Sequence, residues 1–320
     1  MLKVVSLFCG CGGADLGILG NFSFLGKKYT RNKYSIVSAT DICKHAVASY
    51  NLNFKHKATE QDVRKFDFDD HADVVVGGFP CQSFSTVNPT KNPDKRETQL
   101  FWEMSNVINS IKPMAFIAEN VKGFMRLSKG KFFNLAKNEF EKDYNVSVKL
   151  LNSSHYGVPQ LRERVIFVGI RKDLKKTYEF PLPTNVLDKK ETPSQTLSSV
   201  IESLEPEDDK FYFSDRAVQG AKNAKKNMKR LLAQDLDKPC LTITSHLAKV
   251  SINSRDPVLL VDSKSEKYRR FSPREAARIQ SFPDNFNFEG ADGHAYRQIG
   301  NAIPPVLMWH VARKLQKILL

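Results

Sequence analysis

Val74-Val75-Val76-Gly77-Gly78-Phe79-Pro80-Cys81-Gln82-Ser83-Phe84-Ser85 begins as an apolar, β-branched run of strand length and ends as a loop. Two glycines and a proline stop the strand and deliver Cys81 onto the segment that follows it. In an α/β sheet that segment lies at the carboxyl edge, where such folds place ligands. A buried structural cysteine ordinarily sits inside an apolar run. One placed after Gly-Gly-Phe-Pro reads as a nucleophile, active as its thiolate.

Working outward, the apolar runs at residues 4–8, 35–39, 114–118, 146–150 and 165–170 read as further short buried strands. Between them Leu100, Phe101, Met104, Val107, Ile108 and Ile111 repeat with the spacing of one face of a 3.6-residue helix. Alternating strand and helix predicts an α/β fold, here built on one parallel sheet. After Arg171 the alternation stops, and Pro181, Pro183, Pro193 and Pro206 punctuate a polar stretch. A second, less regular domain is expected there. It holds an acidic cluster (Glu202, Glu205, Glu207, Asp208, Asp209), a basic one (Lys222, Lys225, Lys226, Lys229, Arg230), and short strands at 240–244 and 258–261. Lys222, Lys225, Lys226 and Lys229 would share one helical face. Ser272-Pro273-Arg274-Glu275 joins an N-cap serine, a proline at the first helical position and a glutamate three residues after the cap. A helix should start there and run to about Gln280. A last amphipathic helix is expected over 305–320.

The chain has 320 residues, 41% hydrophobic and 26% charged, a globular composition with room for one large or two modest domains. No apolar run nears the roughly 20 residues that cross a bilayer. The first ten residues show no basic segment leading an apolar signal core, so neither a membrane span nor a secretory route is expected. Lys and Arg exceed Asp and Glu by 49 to 35, and the net charge of +14 favours polyanionic partners. Cys9, Cys11, Cys43, Cys81 and Cys240 form an odd set without a Cys-x-x-Cys pair. That pattern argues against a disulfide framework and a four-thiolate zinc site; no metal is expected, and the setting reads as reducing and cytoplasmic.

The first strand runs into Phe8-Cys9-Gly10-Cys11-Gly12-Gly13, a glycine-rich turn that lets a nucleotide cofactor approach the backbone. A pyrophosphate-binding Gly-x-Gly-x-x-Gly would need glycine where Asp15 stands. Asp41 follows the second strand and is placed for ribose hydroxyls, although a tight turn and a loop aspartate would account for both features equally. Met114-Ala115-Phe116-Ile117-Ala118 ends in Glu119-Asn120. A carboxyl at the end of an apolar strand is partly desolvated, which favours its protonated form and suits it to donate to a ring nitrogen, or it can simply cap the next helix. Gln160, Arg162 and Arg164 alternate along an extended segment, on one face by the period of two, with Glu163 on the other. That face suits an anionic substrate or a surface ion-pair ladder.

Taken together these residues resemble the cytosine-C5 DNA methyltransferases of bacterial restriction-modification systems. The resemblance rests on motifs in the family's order: the Phe-x-Gly-x-Gly-Gly turn at 8–13, Pro-Cys-Gln at 80–82, Glu-Asn-Val at 119–121, Gln-x-Arg-x-Arg at 160–164, the Arg-Glu helix at Arg274 and Glu275, and Gly-Asn-Ala at 300–302. It implies a Rossmann-like S-adenosylmethionine-dependent domain over residues 1–178, a target-recognition domain over 179–289 and a segment over 290–320 that returns to the first. It implies S-adenosylmethionine at Phe8, Gly10, Gly12, Gly13, Asp41, Ile42, Asp62, Val63, Pro80, Leu100, Asn301 and Ala302. Cys81 would attack C6 of a flipped-out cytosine, Glu119 would serve N3, Arg164 would hold the base, Asn120 would brace the Pro80 loop, and Arg162 and Gln82 would complete the catalytic set. Duplex contacts would come from Ser85, Arg96, Thr242, Lys222, Lys226 and Lys229.

The implied partners are duplex DNA and, genetically, a cognate restriction endonuclease, for a monomeric prokaryotic protein. Three departures from the family pattern stand out. Residues 21–33 form an added stretch before Asp41, Arg96 is followed by Glu97, Thr98 and Gln99 where Arg-Gly is usual, and Cys11 replaces a bulkier apolar residue. A tRNA cytosine-5 methyltransferase and a silent DNA-binding regulator on the same fold are the rival readings. Retention of Cys81, Glu119, Arg162 and Arg164 together argues against the second, and a recognition segment of roughly 100 residues favours DNA over tRNA.

Overall fold

The computed structural model describes residues 1–67, 70–80, 100–184, 195–202, 208–223, 233–249 and 257–320. A seven-stranded sheet organises them, in the order β5-β4-β1-β6-β7-β10-β8. Its strands are β1 (Leu2–Leu7), β4 (Tyr34–Asp41), β5 (Thr59–Glu60), β6 (Val74–Gly78), β7 (Ala115–Val121), β8 (Tyr144–Asn152) and β10 (Glu163–Arg171). Helices cross between the parallel strands: α1 (Gly13–Leu19), α2 (Lys44–Asn53), α3 (Leu100–Ile111) and α4 (Lys131–Phe140). The apolar runs read as strands all fall in this sheet, and α3 spans the periodic segment from end to end.

The expectation of one parallel sheet needs correction. Strands β5, β4, β1, β6 and β7 are parallel, but β10 runs antiparallel to both β7 and β8. Too little chain separates β8 from β10 for a parallel crossover, which needs a dozen or more residues, so β10 folds straight back between β7 and β8. Its amino-terminal end therefore lies beside the carboxyl-terminal end of β7, with Arg164 opposite Val121 and Ile166 opposite Glu119.

The sheet is buried on both faces, which is why its strands read as continuous apolar runs. Along β1, Val4 packs into one core while Val5 and Leu7 pack into the other. The first core includes Ile18 of α1 and Leu307, Val311 and Leu315 of α8 (Pro305–Leu319). The second holds Phe101 and Met104 of α3 and Phe132, Ala136 and Phe140 of α4, joined by aromatic edge contacts such as Phe101 on Phe140. The added stretch at 21–33 is a small hairpin, β2 (Phe22–Phe24) with β3 (Lys27–Tyr29), held down where the Trp309 indole donates to the Thr30 carbonyl at 2.8 Å.

Beyond β10 the described elements are short. They are α5 (Asp215–Lys222), β11 (Cys240–Leu241), β12 (Leu259–Asp262), β13 (Lys267–Arg269), α6 (Pro273–Ile279) and α7 (Asp292–Asn301). β11 pairs in parallel with β9 (Gln160–Leu161), which ties this region to the entrance of β10. Helix α6 starts with the capping box expected at Ser272 and Glu275, with proline inside its first turn. The Glu275 carboxylate also receives both terminal nitrogens of Arg269 at 2.8 Å, and the two side chains are sealed from solvent. Removing one partner of such a pair strands a buried charge. Glu275→Gln is therefore expected to lower the unfolding free energy by about 3–5 kcal/mol in urea titration at neutral pH, and a loss under about 1 kcal/mol would contradict the arrangement.

Candidate active site

The carboxyl ends of β1, β4, β5, β6 and β7 and the amino end of β10 converge on a cavity of about 740 Å³, a size that suits a small molecule. Phe8, Gly10 and Gly13 reach it after β1, Asp41 and Ile42 after β4, Asp62 and Val63 after β5, Pro80 after β6, and Leu100 from the start of α3. Asn301 and Ala302 close it from the end of α7, and Glu119, Asn120, Arg162 and Arg164 line its inner part. The residues that sequence reasoning assembled from distant motifs thus share one hollow. Gly12 is the exception and does not line it. Its φ of 94° sets the turn, and a Cβ there would meet the Phe54 ring at 2.3 Å, so its absent side chain serves packing.

Asp41 organises the outer part. One carboxylate oxygen accepts the Gly10 N–H and the other the Cys43 N–H, both at 2.8 Å, joining the glycine turn to the start of α2. Burial raises its pKa, and these backbone donors oppose the rise. Asp62 is held by Arg64, whose bonds push its carboxyl down to about 2. Ile42 is 67% exposed beside Asp41, and a Cβ on Gly10 would meet nothing within 4 Å. An apolar wall, an open backbone turn and the Asp41 carboxylate, which keeps spare lone pairs, fit an adenosine-bearing cation, while both Asp62 oxygens are already engaged by Arg64.

The inner part centres on an ion pair, Arg164 Nε to Glu119 Oε1 at 2.8 Å, with both side chains nearly buried. Burial raises the Glu119 pKa against the opposing pull of Arg164 and Arg162. Its second oxygen lies 3.1 Å from where a Cβ on Gly78 would stand, so the glycine at the end of β6 leaves room for it. Asn120 donates its amide to the Phe79 carbonyl at 3.1 Å, which ties the backbone just before Pro80 to the end of β7.

The common face of Gln160, Arg162 and Arg164 exists, with Leu161 partly exposed and Glu163 paired to Lys122 on the other side. Its use differs from the anion-binding row and from the surface ladder. Arg162 is buried and gives its terminal nitrogens to the carbonyls of Ile243, Gly300 and Ala302 at 2.9–3.1 Å. Gln160 bonds the Gln280 side chain and the Ile243 N–H. Backbone brought from elsewhere, including the last turn of α7, offers these side chains carbonyls, which a sequence pattern does not reveal.

Cys81, Gln82, Ser85, Arg96, Lys226 and Lys229 lie outside the described residues, as do Lys225, Glu97, Thr98 and Gln99. Of the lysine face only Lys222 is described: it ends α5 and pairs with Glu266. The Thr242 hydroxyl donates to the Leu161 carbonyl at 2.7 Å, fixing the β9–β11 contact. Sequence reasoning missed Arg297 and Gln298, which line the cavity from α7. Their spacing of four and three before Asn301 on one helix was the available signal. Among the described residues no cluster suited to a metal ion occurs, and no helix is long and apolar enough to cross a membrane.

The fold with this cavity is that of methyltransferases. The crystal structure of the S. pombe Dnmt2 methyltransferase superposes with a TM-score of 0.77 at 19% identity, covering 99% of each chain. In sequence, the Type II methyltransferase M.BsuRI of Bacillus subtilis is 33% identical over 97% of this chain and 78% of its own. M.NgoPII of Neisseria gonorrhoeae, also a Type II methyltransferase, is 31% identical over 99% of this chain and 96% of its own. The model of the C-5 cytosine-specific DNA methylases matches residues 2–317, and the chain belongs to that family. It is accordingly a DNA cytosine-5 methyltransferase.

Beneath the glycine turn lies a group that sequence reasoning used only to exclude dinucleotides. Asp15 is wholly buried, bonded by the Ser6 hydroxyl at 3.0 Å, with its other oxygen unpartnered among the described residues. Burial pushes its pKa up to about 7. A carboxyl whose folded pKa is raised stabilises the fold at low pH and progressively less as pH rises from its unfolded value toward 7. Asp15→Asn should therefore stabilise the protein at pH 8 by on the order of 2–4 kcal/mol, a gain that shrinks toward pH 4. Thermal unfolding across that range checks it, and equal stability of the two proteins at pH 8 would contradict it.

Proposed function

We propose that the chain transfers a methyl group from S-adenosylmethionine to C5 of a cytosine flipped out of a specific duplex, as the modification half of a restriction-modification system. The observation that carries this reading is the buried Glu119–Arg164 pair, set in a cavity that also holds the Asp41 carboxylate and the open Gly10 turn. Bound in the outer cavity, S-adenosylmethionine supplies an electrophilic methyl group. Phe8, Ile42 and Val63 would face its ring, Asp41 its ribose and Asp62 its amino group, with Gly10, Gly13, Pro80, Leu100, Asn301 and Ala302 completing the wall.

The remaining chemistry belongs to side chains. C5 of cytosine is a poor nucleophile, so the Cys81 thiolate adds to C6 and the electron pair moves toward C5. Glu119, with its pKa raised by burial, holds a proton at N3, where negative charge would otherwise build up. Arg164 orients Glu119 and the base together. Arg162, whose Nε has no partner among the described residues, adds a donor at the cavity wall. After C5 takes the methyl group it loses its proton to a base, and expulsion of the thiolate restores the ring. Gln82, next in sequence to the nucleophile, would complete the catalytic set. C6 is inaccessible in stacked duplex, so the base must leave the stack at a cost of about a few kcal/mol.

Residues 179–289 are assigned to target recognition, with Ser85 and Arg96 of the catalytic part and Lys222, Lys226 and Lys229 contributing to the duplex contact. Thr242 would set the backbone of that region through its bond to Leu161. The Lys222–Glu266 pair gives this lysine an alternative partner that a phosphate must displace. The protein is taken to act as a cytoplasmic monomer.

Two substitutions test the chemistry. Cys81→Ala should abolish methyl transfer and leave duplex binding within a few-fold, because binding draws on phosphate and base-edge contacts. Glu119→Gln should slow the single-turnover methyl transfer by about 10²–10⁴-fold, with S-adenosylmethionine affinity changed far less. Methylation near the wild-type rate by either variant would overturn the mechanism.

A further inference from the structure

Helix α7 closes the cavity with Arg297 and Asn301, and its first turn meets the first turn of α2 at an unusual contact. His45 stacks on His294, ring centroids 3.7 Å apart and planes 26° from parallel. Both rings are partly exposed. His45 lies four residues after Asp41, and His294 lies one helical turn before Arg297, so the stack joins the two sides of the cavity at its rim. Farther from the rim, the same sides are joined by hydrogen bonds that do not depend on an imidazole. Asn53 and Asn287 exchange bonds at 2.7 and 2.9 Å, and the Glu289 N–H donates to the Ser49 hydroxyl at 2.7 Å.

We infer that the His45–His294 stack is a proton-operated clasp that positions α7 over the cavity, so that protonation of the two rings loosens the bound cofactor. Neutral imidazoles attract face to face, and one proton shared by the pair is tolerable. Two imidazolium ions at this separation repel. The charged groups that act on His45 are Lys44 on its own helix, Glu289 in the segment before α7, and His294 and Arg297 on α7. Three of the four oppose its charge and only Glu289 supports it. Partial desolvation, then His294 and Lys44, hold the His45 pKa below the ordinary histidine value. A base with a depressed pKa is neutral in the folded state at neutral pH, and the closed form loses stability as pH falls from the ordinary histidine value toward the lowered one. The clasp is therefore closed at neutral pH and opens only in acid, when both rings carry a proton. The hydrogen bonds at Asn53 and Ser49 keep the far end docked, so α7 pivots and does not detach.

The effect on the cofactor rests on the cavity being the S-adenosylmethionine site, as proposed above. Calorimetric titration with S-adenosylhomocysteine at pH 7.5 and 5.5 tests it, comparing wild type with His45→Phe/His294→Phe, which keeps two stacked rings and removes both protons. Wild-type affinity should fall by about tenfold or more at the lower pH, while the double variant matches wild type at pH 7.5 and falls by less than about threefold. If the double variant does not fold, His45→Phe alone should show a smaller fall than wild type. An equal fall in wild type and variant, or a flat wild type, would overturn the clasp. Wild type that does not bind at pH 7.5 would instead overturn the cofactor reading. The clasp is then judged by NMR titration of His45, whose midpoint should rise in His294→Phe; an unchanged midpoint overturns it.

Discussion

The buried guanidinium of Arg162 is the interaction around which this structure closes. Its three carbonyl partners, on Ile243, Gly300 and Ala302, come from the segment just after β11 and from the helix end that carries Asn301. One side chain at the mouth of β10 therefore holds the returning carboxyl-terminal segment and the irregular region together against the sheet. Burial and the neighbouring Arg164 both work against its charge, and Glu119 supports it. An arginine is suited to this place because its planar fork satisfies several acceptors at once and stays charged where an ammonium would not.

That closure depends on the direction of β10. Had it run parallel to β7, its first residues would stand at the opposite edge of the sheet, and Arg164 could not meet Glu119. The short return from β8 forces the antiparallel path, and the same path places Gln160 against Ile243 and Gln280. Gly300 completes the fit, because a Cβ there would lie 2.2 Å from the Thr244 backbone. Chemistry at the cavity and packing beneath it are thus satisfied by one turn of chain.

Much of this was legible in the residues themselves. Helix α3, the capping box of α6 and the strands of the central sheet follow from periodicity and cap chemistry, since one local stretch contains the whole signal. Phe8, Asp41, Pro80 and Glu119 could be placed at strand ends from the residues alone, whereas bringing Asp62 and Asn301 to the same cavity followed from the resemblance to the family. What could not be read is what depends on a partner distant in sequence: the antiparallel entry of β10, the carbonyls that occupy Arg162, the Phe54 ring behind Gly12 and the meeting of His45 with His294. Asp15 was visible as a residue but not as a buried acid, because the groups that act on it, Ser6 and Tyr50, lie on other elements.

The most direct test is to incubate the protein and S-adenosylmethionine with a duplex carrying 5-fluorocytosine at the methylated position, then digest and weigh the peptides. Fluorine on C5 cannot leave as a proton, so a thiolate that attacks C6 stays attached after methyl transfer. The account predicts a methylated, fluorinated cytidine adduct on the peptide containing Cys81, formed only when the cofactor is present and strongly slowed in Glu119→Gln. An adduct on Cys9, Cys11, Cys43 or Cys240, or efficient methylation of ordinary duplex with no adduct on the fluorinated one, would contradict it.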